Sequence, residues 1–158
     1  MNASAAKSVL TKKTGESVNF LGFWRNQHGS EVHLAALENG LLEGTFKTGV
    51  GAHDPDEEFA LTGFVSDDLI SFSVNFGKYG CLTSWSGQHT WGLDGPRIET
   101  MWHLARAIPE KLEARHLWAG FWTGADTFKR VQGEEKRDLN LFDRPTMSPS
   151  YPFKVSLK

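Results

Sequence analysis

The chain contains a single cysteine, Cys81, so no intrachain disulfide can brace it and its redox compartment stays open. No run of apolar residues approaches the ~18 that a helical membrane span needs. A block of one charge is also missing: 17 Lys and Arg face 19 Asp and Glu, for a formal net charge of −2. Nucleic acid and anionic membrane are therefore poor partners. Tyrosine is scarce, with 2 residues against 6 Trp and 11 Phe, so the aromatic bulk is almost free of hydroxyl groups. The segment Met1 to Ser17 has lysines but no continuous apolar core of a signal peptide. As it stands, the sequence reads as cytoplasmic, or as secreted if a leader has been removed.

What is present is enough for one well-buried core in 158 residues, and the 16 glycines suit a fold of many turns. Residues 1–17 are small and polar and read as a flexible arm. From about Asn19 the sequence alternates between apolar and polar residues in short runs, with turn signals every 8–12 residues, as in all-β sandwiches and barrels. The clearest strand is 69–76, with Ile70, Phe72, Val74 and Phe76 on one face and Ser71, Ser73 and Asn75 on the other. Eight strands are expected, over 19–27, 30–37, 41–50, 57–65, 69–76, 81–91, 97–106 and 118–130. A helical turn is expected at 109–115, and turns at Asn39-Gly40 and Asp94-Gly95-Pro96. Short consecutive connections imply an up-and-down meander, and eight antiparallel strands close into a β-barrel able to hold one small ligand. The organisation expected is an arm over 1–17, a barrel over 18–131 and a tail over 132–158, disordered or docked on the barrel.

Four segments place an indole close to short polar side chains: Gly22 to Ser30, Thr83 to Gln88, Thr100 to Leu104, and Trp118 to Phe128. Strand parity turns Trp24 and Asn26 inward, with Cys81, Thr83 and Trp85, with Ile98, Thr100, Trp102 and Leu104, and with Trp122, Gly124, Asp126 and Phe128. The interior is then mostly aromatic, with Asn26, Ser30, Thr48, Thr83 and Asp126 as its polar members. A buried carboxylate and amide are costly unless hydrogen-bonded, and several converging in one barrel are easier to explain with a ligand. Taken singly, Trp24 is ordinary core, Asn26 and Ser30 can simply cap a turn, and Asp126 can be satisfied by Asn26 alone. The run His53 to Glu58 reads as an acidic solvated loop, not a metal site. No nucleophile–base pair is visible, since Cys81 has no evident histidine partner and Asp126 no second carboxylate at useful spacing, so catalysis is not expected.

Over roughly residues 19–130 these segments resemble the avidin/streptavidin family of biotin-binding proteins. The resemblance rests on Gly-x-Trp-x-Asn-x-x-Gly-Ser at 22–30, Gly44 to Gly51, Leu61-Thr62-Gly63, Trp85-Ser86-Gly87-Gln88, Thr100-Met101-Trp102-x-Leu104 and Gly124 to Phe128, in the family's order. It implies biotin as ligand, no cofactor, and a homo-oligomer, with a tetramer favoured over a dimer. By the resemblance Asn26 and Ser30 would donate to the ureido oxygen, and Asp126 and Thr48 would each accept from a ureido N–H. Thr83 would meet the thioether sulfur. Phe76, Trp85, Trp102 and Leu104 would wall the rings. The stretch Val50, Gly51 and Ala52, together with Cys81, would meet the valerate carboxylate, and Trp118 would reach a neighbouring subunit's site.

Four departures from the family's pattern predict weaker binding than in its strongest members. Phe46 stands where a tyrosine commonly supplies a third donor to the ureido oxygen, a loss of about 1–3 kcal/mol. Phe76 replaces a tryptophan, and Cys81 replaces a serine. Ala52 keeps a backbone N–H but offers no side-chain donor. The alternative function is a lipocalin-type carrier of another small hydrophobic molecule. In the tail, Tyr151-Pro152-Phe153 is a candidate plug for the barrel mouth.

Overall fold

A computed structural model describes residues 18–49 and 57–132. The expected arm over 1–17, the tail from 133 onward with its Tyr151 to Phe153 segment, and the Val50 to Asp56 stretch lie outside the described residues. Eight strands form a closed antiparallel barrel in sequence order. They are β1 (Gly22–Asn26), β2 (Glu31–Glu38), β3 (Leu41–Lys47), β4 (Phe59–Ser66), β5 (Leu69–Phe76), β6 (Cys81–Gly92), β7 (Gly95–Arg106) and β8 (Phe121–Arg130). A short helix α1 (Glu110–His116) and a 3-10 turn (Leu117–Gly120) link β7 to β8.

The period-two pattern becomes an inside and an outside. On β5, Ile70, Phe72, Val74 and Phe76 are buried while the residues between them are exposed. On β7, Ile98, Thr100, Trp102 and Leu104 are buried in the same way. Burying each such large apolar side chain contributes roughly 1.5–3 kcal/mol. The ring closes where β1 meets β8, with Asn26 opposite Phe128. A bulge between Leu34 and Ala36 breaks the alternation of β2, and its second half is exposed. The β2–β3 hairpin turns on Asn39 (φ 51°) and Gly40 (φ 80°), the paired left-handed geometry for which Asn-Gly is suited.

Several expected boundaries shift: β1 begins at Gly22 rather than 19, β3 ends at Lys47 rather than 50 and β4 begins at Phe59 rather than 57. The Asp94-Gly95-Pro96 turn tightens to Leu93 and Asp94, and Pro96 lies within β7 opposite Trp91. Proline, lacking an N–H, is tolerated near a strand end. The eighth strand begins at Phe121 rather than 118, because α1 continues directly into the 3-10 turn that takes up Leu117 to Gly120.

The up-and-down order gives the barrel two unlike ends. The β1–β2, β5–β6 and β7–β8 connections gather at one end, here the mouth, where β3 also ends and β4 begins. The other connections and both ends of the barrel chain gather at the floor. There Trp24 Nε1 donates to Phe20 O at 2.8 Å, and the Arg130 guanidinium sits 4.2 Å above the Trp24 ring. Arg130 also donates to Leu21 O at 2.7 Å and to Asn19 O, fastening the entering chain to β8.

His89 is buried in this floor, edge-on to Phe20, Trp24 and Trp91 at 5.6, 5.9 and 5.8 Å between ring centroids. Burial holds its pKa below the usual value, Arg130 adds to the depression and Asp68 opposes it. A depressed folded-state pKa means that the unfolded chain takes up the proton first. Stability is therefore whole above the unfolded pKa of ~6.5 and is lost as pH falls through the lower folded value. His89→Phe is expected to flatten that part of the profile, read as the unfolding midpoint between pH about 7 and about 5.

Candidate functional site

At the mouth, β1 ends in a turn closed by its own last side chain. Asn26 Oδ1 accepts the backbone N–H of His28 at 3.0 Å and of Ser30 at 2.9 Å. The turn-capping role is thus real for the carbonyl oxygen of Asn26. It leaves the other half of the amide unused: Nδ2 is buried and has no hydrogen-bond partner. Ser30, fully buried, accepts the Gly49 N–H on Oγ at 3.0 Å, which ties the turn to the end of β3 and leaves the hydroxyl proton to be donated elsewhere.

Asp126 faces this turn from β8 and is 1% exposed. Its Oδ2 accepts the Trp85 indole N–H at 2.9 Å, and its Oδ1 accepts Gln27 Nε2 at 3.2 Å. His28 Nε2 stands 3.7 Å from Oδ1. Burial pushes the carboxyl's pKa up, against the Trp85 hydrogen bond, the charge of His28, and the nearby Asn26 and Gln27 side chains. The Asn26 amide thus pulls on this carboxylate without reaching hydrogen-bond geometry. A self-contained Asn26–Asp126 pair does not form, and Trp85 takes that role.

Gln27 and His28 are additions that sequence reasoning missed. Gln27 bonds Ala125 O at 3.0 Å and accepts the Thr127 N–H at 2.9 Å, clamping the turn onto β8. Its outward parity on β1 gave no hint of this, because the turn swings it over the barrel rim.

The walls are aromatic. Trp85 lies stacked on Phe72, 5.0 Å between centroids at 17°, and tilted against Phe46 at 5.2 Å. Phe46 also meets Phe76 edge-on at 5.6 Å. Trp102 is Trp85's cross-strand partner, and its indole covers Gly124: a Cβ there would come within 2.4 Å of Trp102 Cζ2, so the ring can lie flat only over a glycine. Thr48, Thr83 and Leu104 are buried alongside, and Thr100 Oγ1 donates to Asp126 O at 2.9 Å. Cys81 is buried, and burial pushes its thiol up to about 11, with Arg106 pulling the other way. Such a thiol stays protonated at neutral pH and is not a nucleophile.

The interior therefore collects Asn26, Ser30, Phe46, Thr48, Phe76, Cys81, Thr83, Trp85, Trp102, Leu104 and Asp126. Val50, Gly51 and Ala52 lie outside the described residues. Trp118 stands apart: it is 84% exposed on the β7–β8 connection, tilted against Phe121 at 5.9 Å. Among the described residues, three buried side-chain polar atoms have no hydrogen-bond partner: Asn26 Nδ2, Trp102 Nε1 and Arg106 Nε. All three are N–H donors, and all three belong to inward positions of β1 or β7. A buried donor left unpaired costs about 1–3 kcal/mol. An interior that carries several asks for a ligand rich in acceptors.

A closed eight-stranded barrel with aromatic walls and unspent donors at one end is the architecture of barrels that enclose one small polar-headed molecule. The Avidin family model matches residues 14–131, and the chain belongs to that family of biotin-binding proteins. Among solved structures, the chain is similar to Xenavidin, at 28% identity and a TM-score of 0.63 over 73% of this chain and 100% of that one. It is also similar in fold to a biotin binding protein from chicken, at 24% identity and a TM-score of 0.64 over 73% and 98%. Apo shwanavidin matches at 22% identity and a TM-score of 0.59 over 72% and 100%.

Proposed function

We propose that this chain binds biotin non-covalently, with Asn26 Nδ2 and Ser30 Oγ donating to the ureido oxygen and Asp126 accepting a ureido N–H. The observation that carries the reading is the buried Asn26 amide: its oxygen is spent on the turn, its nitrogen is unspent, and a buried carboxylate faces it. A cyclic urea offers one carbonyl acceptor flanked by N–H donors, the complement of that set. Thr48 takes the second ureido N–H, Thr83 the sulfur, and Phe46, Phe76, Trp85, Trp102 and Leu104 the ring faces. Donors aimed in advance at one oxygen polarise the urea, and a rigid box adds burial at little ordering cost.

The affinity falls below that of family members with a tyrosine at position 46. Phe46 is fully buried among Phe76 and Trp85 and brings no hydroxyl to the ureido oxygen. One missing donor corresponds to about one to two decades in Kd. Isothermal titration with biotin tests the function: one site per chain supports it, and no heat at high protein concentration defeats it.

The same reading includes assembly, with a homotetramer favoured. Its support is outward apolar surface. Phe64, Leu69 and Met101 are each more than half exposed and line one open hollow of about 840 Å³ across β4 to β8. Trp118 and Phe121 add a second apolar projection. Trp118→Lys is expected to lower both the solution mass by light scattering and the biotin affinity. A variant unchanged in both would remove Trp118 from any neighbour's site.

A further inference from the structure

Among the described residues, Arg106 is the unexplained cation of the barrel interior. It ends β7 in the inward row of Ile98, Thr100, Trp102 and Leu104, and lies opposite Cys81 in the β6–β7 register. Its place is the mouth, since β7 runs towards the β7–β8 connection. The guanidinium stacks over the Trp122 ring, 5.5 Å from its centroid, and Trp122 is itself on the inward parity of β8. Despite that enclosure Arg106 Nε is buried without an acceptor, and among the described residues no acidic side chain forms an ion pair with it. Arginine has five rigid donors and stays charged, so a guanidinium held flat on an indole is poised to bind a carboxylate.

We propose that Arg106 recognises the carboxylate of the bound molecule at the barrel mouth and makes the site selective for a free acid over a neutral tail. This rests on the biotin reading, which places the ureido head beside Asn26 and Asp126. Along β7 the Cα positions of Trp102 and Arg106 are roughly 13 Å apart at 3.3–3.4 Å per residue. A bicyclic head with a four-methylene acid tail spans that order of length. Cys81, a weak donor with a protonated thiol, gives a tail carboxylate little from the facing strand, whereas the guanidinium gives a charge-assisted hydrogen bond.

The test titrates the full chain, Arg106→Gln and Arg106→Lys with biotin and with biotinamide, whose tail is uncharged. The unaltered chain is expected to prefer biotin by about tenfold, the ratio falling to near one in Arg106→Gln and largely returning in Arg106→Lys. Should Arg106→Gln fail to fold, Arg106→Met keeps an apolar stem over Trp122 and takes its place. A ratio in the glutamine or methionine variant equal to that of the unaltered chain overturns the proposal, as does an unaltered chain that binds both compounds equally. If the unaltered chain binds neither compound, the cyclic-urea reading falls and the tail subsite with it. Binding of both without discrimination removes Arg106 alone.

Discussion

Trp85→Ala is expected to destabilise the barrel by about 4–8 kcal/mol, most of what a domain of this size has. Two losses add. The indole is fully buried between Phe72 and Phe46, and truncating such a ring costs about 3–5 kcal/mol through lost transfer energy and the cavity left behind. Asp126 Oδ2 also loses its donor, and a buried acceptor stripped of its partner costs about 1–3 kcal/mol more. Trp85→Phe separates the terms: it keeps a ring in the stack and removes only the N–H and part of the area. The expected order in denaturant midpoint, at unchanged slope, is unaltered, then Trp85→Phe, then Trp85→Ala far below. Equal midpoints for the two variants would mean that packing is minor and the carboxylate decides. An alanine variant near the unaltered midpoint would show that the interior is not close-packed here.

Biotin affinity falls in the same order for a related reason. The indole both walls the site and holds Asp126 in place, so the phenylalanine variant frees the carboxylate to turn while keeping most of the wall. Stability and binding share this residue, and ligand binding to the folded state adds to the measured midpoint. The unliganded proteins are therefore the ones to compare.

The fold is legible in the sequence wherever one face of a strand is buried, because period two leaves the chain no second register. Ile70, Phe72, Val74 and Phe76 show this most plainly, and the same parity found Asn26, Trp85, Trp102 and Asp126. The strand ends are less legible. Pro96 reads as a turn breaker, yet it fits at a strand end because no ladder hydrogen bond is asked of it there. Trp118 reads as strand by composition, yet the connection from α1 claims it. Gln27 was invisible because its partners lie about a hundred residues away and meet it only when β1 closes against β8. Arg106 lay on the inward row in plain sight. A long charged side chain at a strand end is ordinarily solvated, and only the unpartnered Nε and the stacked Trp122 set it apart.

Asp126→Asn is expected to move stability and affinity in opposite directions. Burial raises the Asp126 pKa above its ordinary value of 3.8, so the folded chain holds this proton more firmly than the unfolded one. The contribution of the group is therefore whole below ~3.8 and is lost as pH rises through the higher folded value. At neutral pH the ionised carboxylate is a cost that the unliganded barrel carries. Asparagine removes the charge and keeps one oxygen for Trp85 Nε1, while Gln27, at the surface, can turn to water. The variant is thus expected to be more stable than the unaltered chain at neutral pH, with the advantage shrinking towards pH 4. Biotin binding weakens, because a charged acceptor for the ureido N–H becomes a neutral one, at about 1.5–3 kcal/mol or one to two decades in Kd. Unfolding midpoints across pH and calorimetric titrations together decide it. A variant that loses stability and affinity in parallel would make Asp126 a structural member of the β8–β6 contact. One that gains stability with affinity untouched would place the ligand's head elsewhere in the barrel.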